Sequence, residues 1–494
     1  MRFISQGTAV NQKIAVSVVF VLALFMNIMD ITIVNVALPR LGSDLHVGPT
    51  AVSAVSIGYL VSLAVVIPAS GWLGDRFGSK RILLIAIVLF TLASALCGAA
   101  QNFGQLVGFR VLQGIGGGML TPVGMAMLYR TFPPAERVRA ASILVVPTAF
   151  APAIGPVLGG VLVTSLSWRW VFYVNLPIGA LALAFGVLFV KEQHTEHAGR
   201  FDVLGFLLSG FGFASLMYGV SEGPQRGWRD PFVASTLVIG VALLVVLVIT
   251  QLRTTEPLLR LRLFSDRLFR STNIVIFLGT AGFLGVLYLV ALFFQNGLGL
   301  SALNSGLSTF PEAIGVMIGA QSASRFLYPR LGPRRVMVAG LLGVTLTIAL
   351  MSLVDSTADM AWMRVLMFAL GLAMSHVFVP AQAAAFARIS AEDTARGSTL
   401  FNALRQLGGA VGVAVLTSAL AAVGVEHVIA GHSVPNLASY HAAFLVAAGL
   451  ALLAAGAALT IKDADADSTR AQHVPAAAAQ SSKDAVALPR HTAA

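Results

Sequence analysis

The stretch GWLGDRFGSKR, residues 71–81, occurs a second time in altered form as RFLYPRLGPRR, residues 325–335. The copies are 254 positions apart and share a leucine, two arginines and a glycine at matching places. At the same offset RVLQGIGG, residues 110–117, matches RVLMFALG, residues 364–371. Because two separate matches share one offset, the chain contains an internal duplication.

The chain that carries these copies is strongly apolar. Of its 494 residues, 57% are hydrophobic and only 11% are charged, a composition that the single core of a soluble protein cannot absorb. Windows of about 20 apolar residues, enough to cross about 30 Å of hydrocarbon, recur fourteen times between residues 14 and 461. The sequence therefore predicts an all-α polytopic membrane protein with fourteen transmembrane spans.

The net charge of +11 would suit a nucleic-acid partner, but the positions of the charges oppose that interpretation. If the spans alternate from a cytoplasmic N-terminus, most of the 32 lysines and arginines fall on the cytoplasmic side. The exceptions are Arg40, Arg169, Arg226 and Arg229 outside, and Arg110, Arg364 and Arg405 within spans. This asymmetry predicts an N-in, C-in multi-pass protein of the cell inner (plasma) membrane, without a nucleic-acid partner.

The duplication also predicts the domain organisation. Each repeat begins about one span before its first match, which gives two six-span halves in the same orientation, with an axis along the membrane normal and a pathway between them. The predicted segments are a cytoplasmic N-terminus (1–13), the N-terminal half (14–190), two inserted spans with linkers (191–270), the C-terminal half (271–461) and a disordered cytoplasmic tail (462–494).

Four motifs resemble those of the major facilitator superfamily. GWLGDRFGSKR looks like its loop signature between helices 2 and 3, and APAIGPVLGG (151–160) is similar to the antiporter motif of its exporters. MDITIVNVALP (29–39) and SWRWVFYVNLPIG (167–179) resemble motifs of its fourteen-helix drug:proton antiporter group, the multidrug or quaternary-ammonium exporter type. The resemblance covers about residues 10–461. It implies a major facilitator fold, with two six-helix halves plus two inserted helices, and proton-coupled transport.

The loop signature is the first candidate site. Its glycines permit a tight turn, and an acid at the end of span 2 can pair with a cation across the cytoplasmic face, although a plain positive-inside loop is the alternative. The resemblance implies a latch for the outward-facing state that carries no substrate, formed by Gly71, Asp75, Arg76, Gly78 and Arg81. In the second copy Pro329 replaces Asp75, so we expect only the first latch to have its acid.

The antiporter motif is the second candidate. Gly155 and Gly159 lie on one helix face, where another helix can approach closely, and Pro156 removes a backbone donor and bends the span. Ordinary small-residue packing is the alternative, and the glycines of GIGGG (114–118) are expected to serve it. The resemblance implies a hinge or seal for exchange, formed by Gly155, Pro156, Gly159 and Gly160.

Ionisable residues inside spans form the third candidate, because a charge in the membrane is costly and usually faces a cavity or a partner. Asp30 and Glu312 are the acids that lie well inside a span. With a rise of 1.5 Å per residue, Asp30, Arg110 and Glu312 all fall about 9 to 12 Å below the outer surface. Shared depth makes an Asp30–Arg110 pair feasible, with Glu312 facing it from the other half. A static buried ion pair is the alternative.

The resemblance makes Arg110, with Gln113 and Gly114 of an RxxQG signature, a proton-relay or substrate-cavity residue, and the acid of span 1 a coupling candidate. An unpartnered acid such as Glu312 favours its neutral form when desolvated, which suits proton uptake and release. His376, deep in span 12, is expected to be a packing histidine. Proton coupling is thus predicted at Asp30, Arg110 and Glu312, and the substrate cavity at Asp30, Asn35, Arg110, Gln113, Glu312 and Arg405.

The predicted function is proton-coupled export of amphipathic, cationic or neutral organic compounds such as drugs or antibiotics. The expected partners are a small-molecule substrate, protons and the lipid bilayer. The protein is expected to act as a monomer, driven by the proton gradient, with no other cofactor and no metal. Proton-coupled uptake, or export of an endogenous lipid, metabolite or antibiotic, remains an alternative. An intramembrane enzyme or a non-transporting receptor is a more distant one, since no H-E-x-x-H or G-x-x-x-x-G-K-[ST] motif occurs.

Overall fold

The computed structural model describes residues 11–47, 52, 54–193, 199–429 and 432–470, and this part of the chain is almost entirely helical. The helices are α1 Gln12–Asp44, α2 Ala54–Phe77, α3 Ser79–Ala99, α4 Phe103–Thr131, α5 Arg137–Ser165, α6 Trp170–Tyr173, α7 Asn175–Phe189, α8 Val203–Arg226, α9 Pro231–Arg253, α10 Arg267–Leu292, α11 Ala302–Thr309, α12 Pro311–Ser322, α13 Tyr328–Met351, α14 Met360–Ala385, α15 Thr394–Val423 and α16 Leu437–Ala458. A hairpin of β1 Glu426–Ile429 and β2 His432–Pro435 joins α15 to α16.

Thirteen helices in the described part of the chain are long and apolar enough to cross a membrane. One of them, Asn304–Met351, has 48 residues, or about 72 Å at 1.5 Å per residue, more than twice the thickness of the hydrocarbon layer. A non-helical residue, Gly332, interrupts it with φ 79°. The segment covers one span predicted from the sequence (305–327) and most of the next (336–354). The count of fourteen crossings and their orientation stay predictions.

The helices pack as two groups with a pair between them. In the first group α1 packs on α5 and α7, while α4 packs between α2 and α3. In the second, α10 packs on α15 and α16, and α14 packs on α12 and α13. The groups meet where α15 lies against α2 and α4, and where α12 and α14 lie against α5. These are the contacts expected of two halves that face each other across a central seam.

Small residues set the short distances between helices of the first group. A Cβ on Gly118 would lie 2.6 Å from the carbonyl oxygen of Leu63 on α2, and one on Gly116 would lie 2.8 Å from the backbone nitrogen of Phe90 on α3. Such separations leave no room for a side chain, so helix α4 can hold both neighbours only through glycine. The structure confirms the packing role predicted for GIGGG.

The inserted helices α8 and α9 lie beside the seam. Helix α8 packs on α2 of the first half and on α15 of the second, and Trp228 Nε1 donates to Ser418 Oγ on α15 at 2.8 Å. Helix α9 packs on α8. Only 17% of the residues in its apolar central stretch are buried inside the protein. Helix α8 thus covers one edge of the contact between the halves, while α9 is mostly peripheral.

Two acids cap equivalent helices in the two halves. After Gly78, whose φ is 96°, α3 begins, and the carboxylate of Glu192 accepts from the backbone nitrogens of Lys80 at 2.8 Å and Arg81 at 3.1 Å. After Gly332, Asp463 Oδ1 accepts from the backbone nitrogen of Arg334 at 2.8 Å. These amides have no partner within their own helices, so each loop is completed by an acid from elsewhere in the chain.

The second of these acids corrects a prediction. Residues 462–494 were expected to form a disordered tail, but Asp463–Thr469 is a short 3-10 helix held by side-chain contacts. Asp465 Oδ2 accepts from Arg267 Nη2 at 2.5 Å, and the hydroxyl groups of Thr469 and Tyr328 lie 2.6 Å apart, both buried. Composition missed this segment because its acids bind arginines that are remote in sequence. Residues 471–494 lie outside the described residues.

We predict that Asp463→Ala lowers the free energy of unfolding by about 1 kcal/mol, the usual effect of losing a helix cap. The measurement is thermal unfolding of the purified protein in detergent. Asp467→Ala is the matched control, because Asp467 lies in the same segment, is exposed, and pairs with Arg470 at 3.3 Å on the surface. Equal stability of the two variants would contradict a capping role for Asp463.

Candidate functional site

The centre of the first half contains a buried ion pair. Arg110 Nη1 on α4 lies 2.5 Å from Asp30 Oδ2 on α1, and the two side chains are 1% and 0% exposed. The contact predicted from equal depth is therefore confirmed. A pair so enclosed must satisfy its remaining hydrogen-bonding atoms locally, because each unsatisfied charged group would carry a large desolvation cost.

Two amide side chains complete the shell around Asp30. Gln113 Nε2 donates to Asp30 Oδ1 at 2.8 Å and its Oε1 accepts from Arg110 Nη1 at 2.7 Å, so one residue bridges the two charges. Asn175 Nδ2, at the start of α7, donates to Asp30 Oδ1 at 3.0 Å and lies 3.0 Å from Ser94 Oγ. The carboxylate thus receives hydrogen bonds from three side chains on two helices, α4 and α7.

The guanidinium of Arg110 is held on its other sides as well. Its Nε donates to the carbonyl oxygen of Val55 at 3.2 Å, and its centre lies 4.2 Å from the ring of Tyr59, within cation–π distance. The hydroxyl of Tyr59 in turn donates to Asn27 Oδ1 at 2.7 Å, and Asn27 Nδ2 donates to Gly117 O at 3.1 Å. The network therefore extends from α1 through α2 to α4.

The antiporter motif packs directly against this network. A Cβ on Gly159 would lie 3.0 Å from Ile33 Cγ1, and one on Gly155 would overlap the side chain of Thr32. Helix α5 thus touches α1 within one turn of Asp30. Gly160 has no neighbour within 4 Å of an added Cβ. Pro156 lies in α5, and its side chain is outside the described part of the structure.

The predicted latch lies at the end of the bundle that was predicted to be cytoplasmic, and it spans the seam. Asp75 Oδ1 binds Arg130 Nη2 at 2.7 Å, and Arg130 Nε donates to the carbonyl oxygen of Ala391 in the second half at 3.2 Å. A Cβ on Gly71 would lie 3.0 Å from the carbonyl oxygen of Ala395. The Asp75–Arg130 pair and the approach at Gly71 tie α2, α4 and the start of α15 together.

Other latch residues have smaller parts. Gly78 forms the turn before α3, while the side chains of Arg76 and Arg81 are exposed. Nearby, the rings of Tyr129 and Phe386 stack with centroids 4.6 Å apart, and Arg137 Nη1 donates to the carbonyl oxygen of Phe386. The seam is therefore closed at this end by polar and aromatic contacts from both halves.

Glu312 was expected to face the Asp30 pair from the other half, and that placement stays a prediction. It lies in the first turn of α12, is 2% exposed, and its Oε1 has no hydrogen-bond partner among the described residues. Close approach of α12 to α14 at Gly371 and packing of α12 on α5 enclose it. It is a buried acid of the second half, without a counter-ion among these residues.

The remaining predicted cavity residues also lie apart from the ion pair. Asn35 is exposed on α1 toward the predicted outer end, and its Oδ1 accepts from Ser56 Oγ at 3.1 Å. Arg405 lies on α15, and its Nε is enclosed without a hydrogen-bond partner in the described chain. His376 contacts Ser322 Oγ at 3.0 Å and Leu372 O at 2.7 Å, as expected of a packing histidine.

Sequence reasoning did not single out three contributors to these sites. Asn175 was visible as the asparagine of SWRWVFYVNLPIG, whose position in a recognised motif was the available signal. Arg130 was counted only as a positive charge at the inner end of span 4. Tyr59 gave no signal, because an aromatic residue in an apolar span is indistinguishable from packing until its hydroxyl partner is known.

Comparison with known proteins decides the family. The model of the Major Facilitator Superfamily matches residues 20–413. The chain belongs to this superfamily. It is 34% identical to a multidrug resistance protein B homolog of Mycobacterium tuberculosis over 81% of this chain and 74% of that protein. It is 33% identical to the putative multidrug resistance protein MdtD of Escherichia coli over 82% of this chain and 85% of that protein.

The solved structure of the proton:xylose symporter XylE superposes on 90% of this chain and 95% of that one, with a TM-score of 0.62 and 15% identity. That likeness shows the fold. Together, the family and the relatives establish a multi-pass membrane transporter rather than an enzyme. The protein therefore moves a small molecule across a bilayer, and the buried charges described above are candidates for how it does so.

We predict that the Asp30–Arg110 pair behaves as a coupled unit in stability. Arg110→Gln leaves a buried carboxylate without its counter-ion and should lower the free energy of unfolding by about 3–5 kcal/mol. Combining it with Asp30→Asn removes the stranded charge, so the double variant should be more stable than Arg110→Gln alone. Thermal unfolding in detergent of the wild type, both single variants and the double variant measures this cycle. Additive losses would show that the two charges do not interact.

Proposed function

We propose that this superfamily transporter is a proton-coupled exporter of amphipathic organic compounds. It would work by alternating access, in the inner membrane, with the proton gradient as the energy source and no other cofactor. The observation that carries the proposal is the buried Asp30–Arg110 pair, with its shell of Gln113 and Asn175, packed against the antiporter motif. The relatives named as multidrug resistance proteins support the substrate class, and the motifs of the fourteen-helix antiporter group support exchange.

The chemistry follows from the charge balance of the pair. While Asp30 is ionised, the Arg110 guanidinium and the two amides hold α1, α4 and α7 together. Proton transfer to Asp30 would neutralise the carboxylate, weaken those bonds and leave Arg110 as a buried cation. A buried cation without a counter-ion favours a rearrangement that brings in water or another anion. Protonation can thereby change the relative stability of two conformations.

The antiporter motif offers a mechanical connection. Gly155 and Gly159 let α5 approach Thr32 and Ile33, next to Asp30. A shift of α1 on protonation would therefore displace α5 as well. Helix α5 also packs on α12 and α14 of the second half. A change at the ion pair can therefore reach the seam through one packed helix. The closed contacts around Asp75, Arg130 and Ala391 support assigning the present conformation to an outward-facing state.

We expect Asp30→Asn to abolish substrate-dependent proton release, because an amide cannot take up the proton. The measurement uses proteoliposomes with a trapped pH dye and ethidium as the transported probe. Asp44→Asn is the matched control, since Asp44 is on the same helix but pairs at the outer end with Arg40 at 3.1 Å. Unchanged coupling in folded Asp30→Asn would remove this residue from the mechanism. A pH gradient of the opposite direction driving ethidium flux would favour uptake over export.

Glu312→Gln tests the second acid. The substitution keeps the side-chain volume but cannot release a proton, so we expect stability within about 1 kcal/mol of the wild type and a clear loss of ethidium-dependent proton release. Glu222→Gln is the control, because Glu222 is equally buried but lies on the inserted helix α8, paired with Arg226. Loss of coupling in both variants, or in neither, would argue against a specific role for Glu312.

A further inference from the structure

One face of α15 is turned toward the first half. Ser398 and Asn402 lie four residues apart on it, and Arg405 follows three residues later, so the three share a side of the helix. Ser398 Oγ donates to the carbonyl oxygen of Pro122 on α4 at 2.8 Å, and Asn402 Nδ2 lies 3.4 Å from Met125 Sδ. The part of this face nearest the predicted cytoplasmic end, at Ser398 and Asn402, is therefore in contact with α4 and closes the seam there.

Arg405 lies just beyond that seal. It is one helical turn further from the predicted cytoplasmic end than Asn402, and about 16 Å along α15 from its first residue. The latch and the Ser398 contact close the seam below it. Arg405 is therefore on the side of this seal that faces away from the predicted cytoplasmic end.

The guanidinium of Arg405 has no counter-ion in the described chain. In the part of the chain that the structure describes, its Nε is fully enclosed without a hydrogen-bond partner and no ion pair includes it. The Oδ1 of Asn402 also lacks a hydrogen-bond partner among these residues. That atom could accept a hydrogen bond after a small rotation, but a neutral amide cannot balance the charge.

An unbalanced arginine at this depth needs an explanation, because arginine stays protonated under all relevant conditions and a charge in a low-dielectric site is costly without an opposite charge. Asp30 is already bound by Arg110, Gln113 and Asn175. Glu312 is enclosed between α12, α14 and α5. Among the described residues neither acid of the central spans forms an ion pair with Arg405, so a bound molecule is the candidate source of the balancing negative charge.

We propose that Arg405 binds the acidic group of the transported molecule, a carboxylate, sulfonate or phosphate on an amphipathic body. A guanidinium suits such groups because its planar donors match two oxygens of one anion. The inference rests on the proposed function, since it treats the seam as the substrate's path. It also differs from the expectation of cationic or neutral compounds that was drawn from the sequence.

An anionic substrate would make transport depend on the membrane potential. Exchange of one proton inward for one monoanion outward moves two positive charges inward, whereas exchange for a neutral compound moves one and exchange for a monovalent cation moves none. An inside-negative potential should therefore accelerate export of an acid more than export of its neutral amide. Equal acceleration of the two compounds would contradict anion binding at the transport site.

Binding of two fluorescent probes that differ only in charge tests Arg405 directly. Dansylglycine carries a carboxylate, and its glycinamide analogue does not. We expect the purified protein to bind the acid about tenfold more tightly than the amide, the size of a hydrogen bond to a charged group. Arg405→Gln should remove this preference, and Arg405→Lys should retain part of it. Arg364→Gln is the matched control, since Arg364 is an exposed arginine of the same half.

The outcomes separate the two proposals. No preference for dansylglycine in the wild type, or a preference that survives in folded Arg405→Gln, overturns the anion site. Displacement of dansylglycine by phosphatidylglycerol in mixed micelles, but not by unlabelled N-acetylglycine, would assign the site to lipid and also overturn it. A preference that depends on Arg405, in a protein that shows no proton-coupled flux of either dansylglycine or ethidium, would leave the anion site standing and count against the proposed function alone.

Discussion

The ion pair between Asp30 and Arg110 imposes the main constraint on the first half. Two opposite charges in a dry interior are tolerated only when geometry and hydrogen bonds are nearly complete. This requirement explains why Gln113, Asn175 and Tyr59 converge on one point from different helices, and why α4 approaches α2 and α3 through glycines. If the helices were further apart, the amides could not reach the carboxylate.

Duplication gave the two halves the same helix arrangement, but the charges have diverged. At the offset of 254, Asp30 corresponds to Leu284, which is 40% exposed, and Arg110 corresponds to Arg364, which is exposed. In the latch, Asp75 corresponds to Pro329 and Arg130 to Ala384, so both members of that pair are replaced together. Replacing one member of a buried ion pair leaves the other charge without a counter-ion, which is costly. The two members are therefore expected to be replaced together.

The helix caps, in contrast, are present in both halves. Glu192 follows Val190 and Lys191 just after α7, and Asp463 follows Ile461 and Lys462 just after α16. Each acid reaches back to the helix that begins after a glycine with positive φ. Free amides at a helix start need a partner in both halves. The acid that supplies it is therefore under the same constraint in each half, whereas the Asp75–Arg130 pair occurs in the first half alone among the described residues.

The sequence predicted the fold, the latch loop and the Asp30–Arg110 contact, because these depend on span length, motif spacing and depth along a helix. It could not predict Asn175 or Arg130 as partners, or the cap at Asp463, because each of these depends on which way a side chain points and on segments remote in sequence. Depth along a helix likewise could not predict that Glu312 is buried without a counter-ion among the described residues.

The two halves differ in whether their buried charges have counter-ions. In the first half the central charges balance each other, which is the arrangement that the proposed proton step would disturb. In the second half Glu312 and Arg405 have no counter-ion among the described residues. Under the proposed function, the first site would respond to the proton and the second to the substrate. Helix α5 contacts α1 beside Asp30 and α12 beside Glu312, which makes it the shortest physical connection between the two.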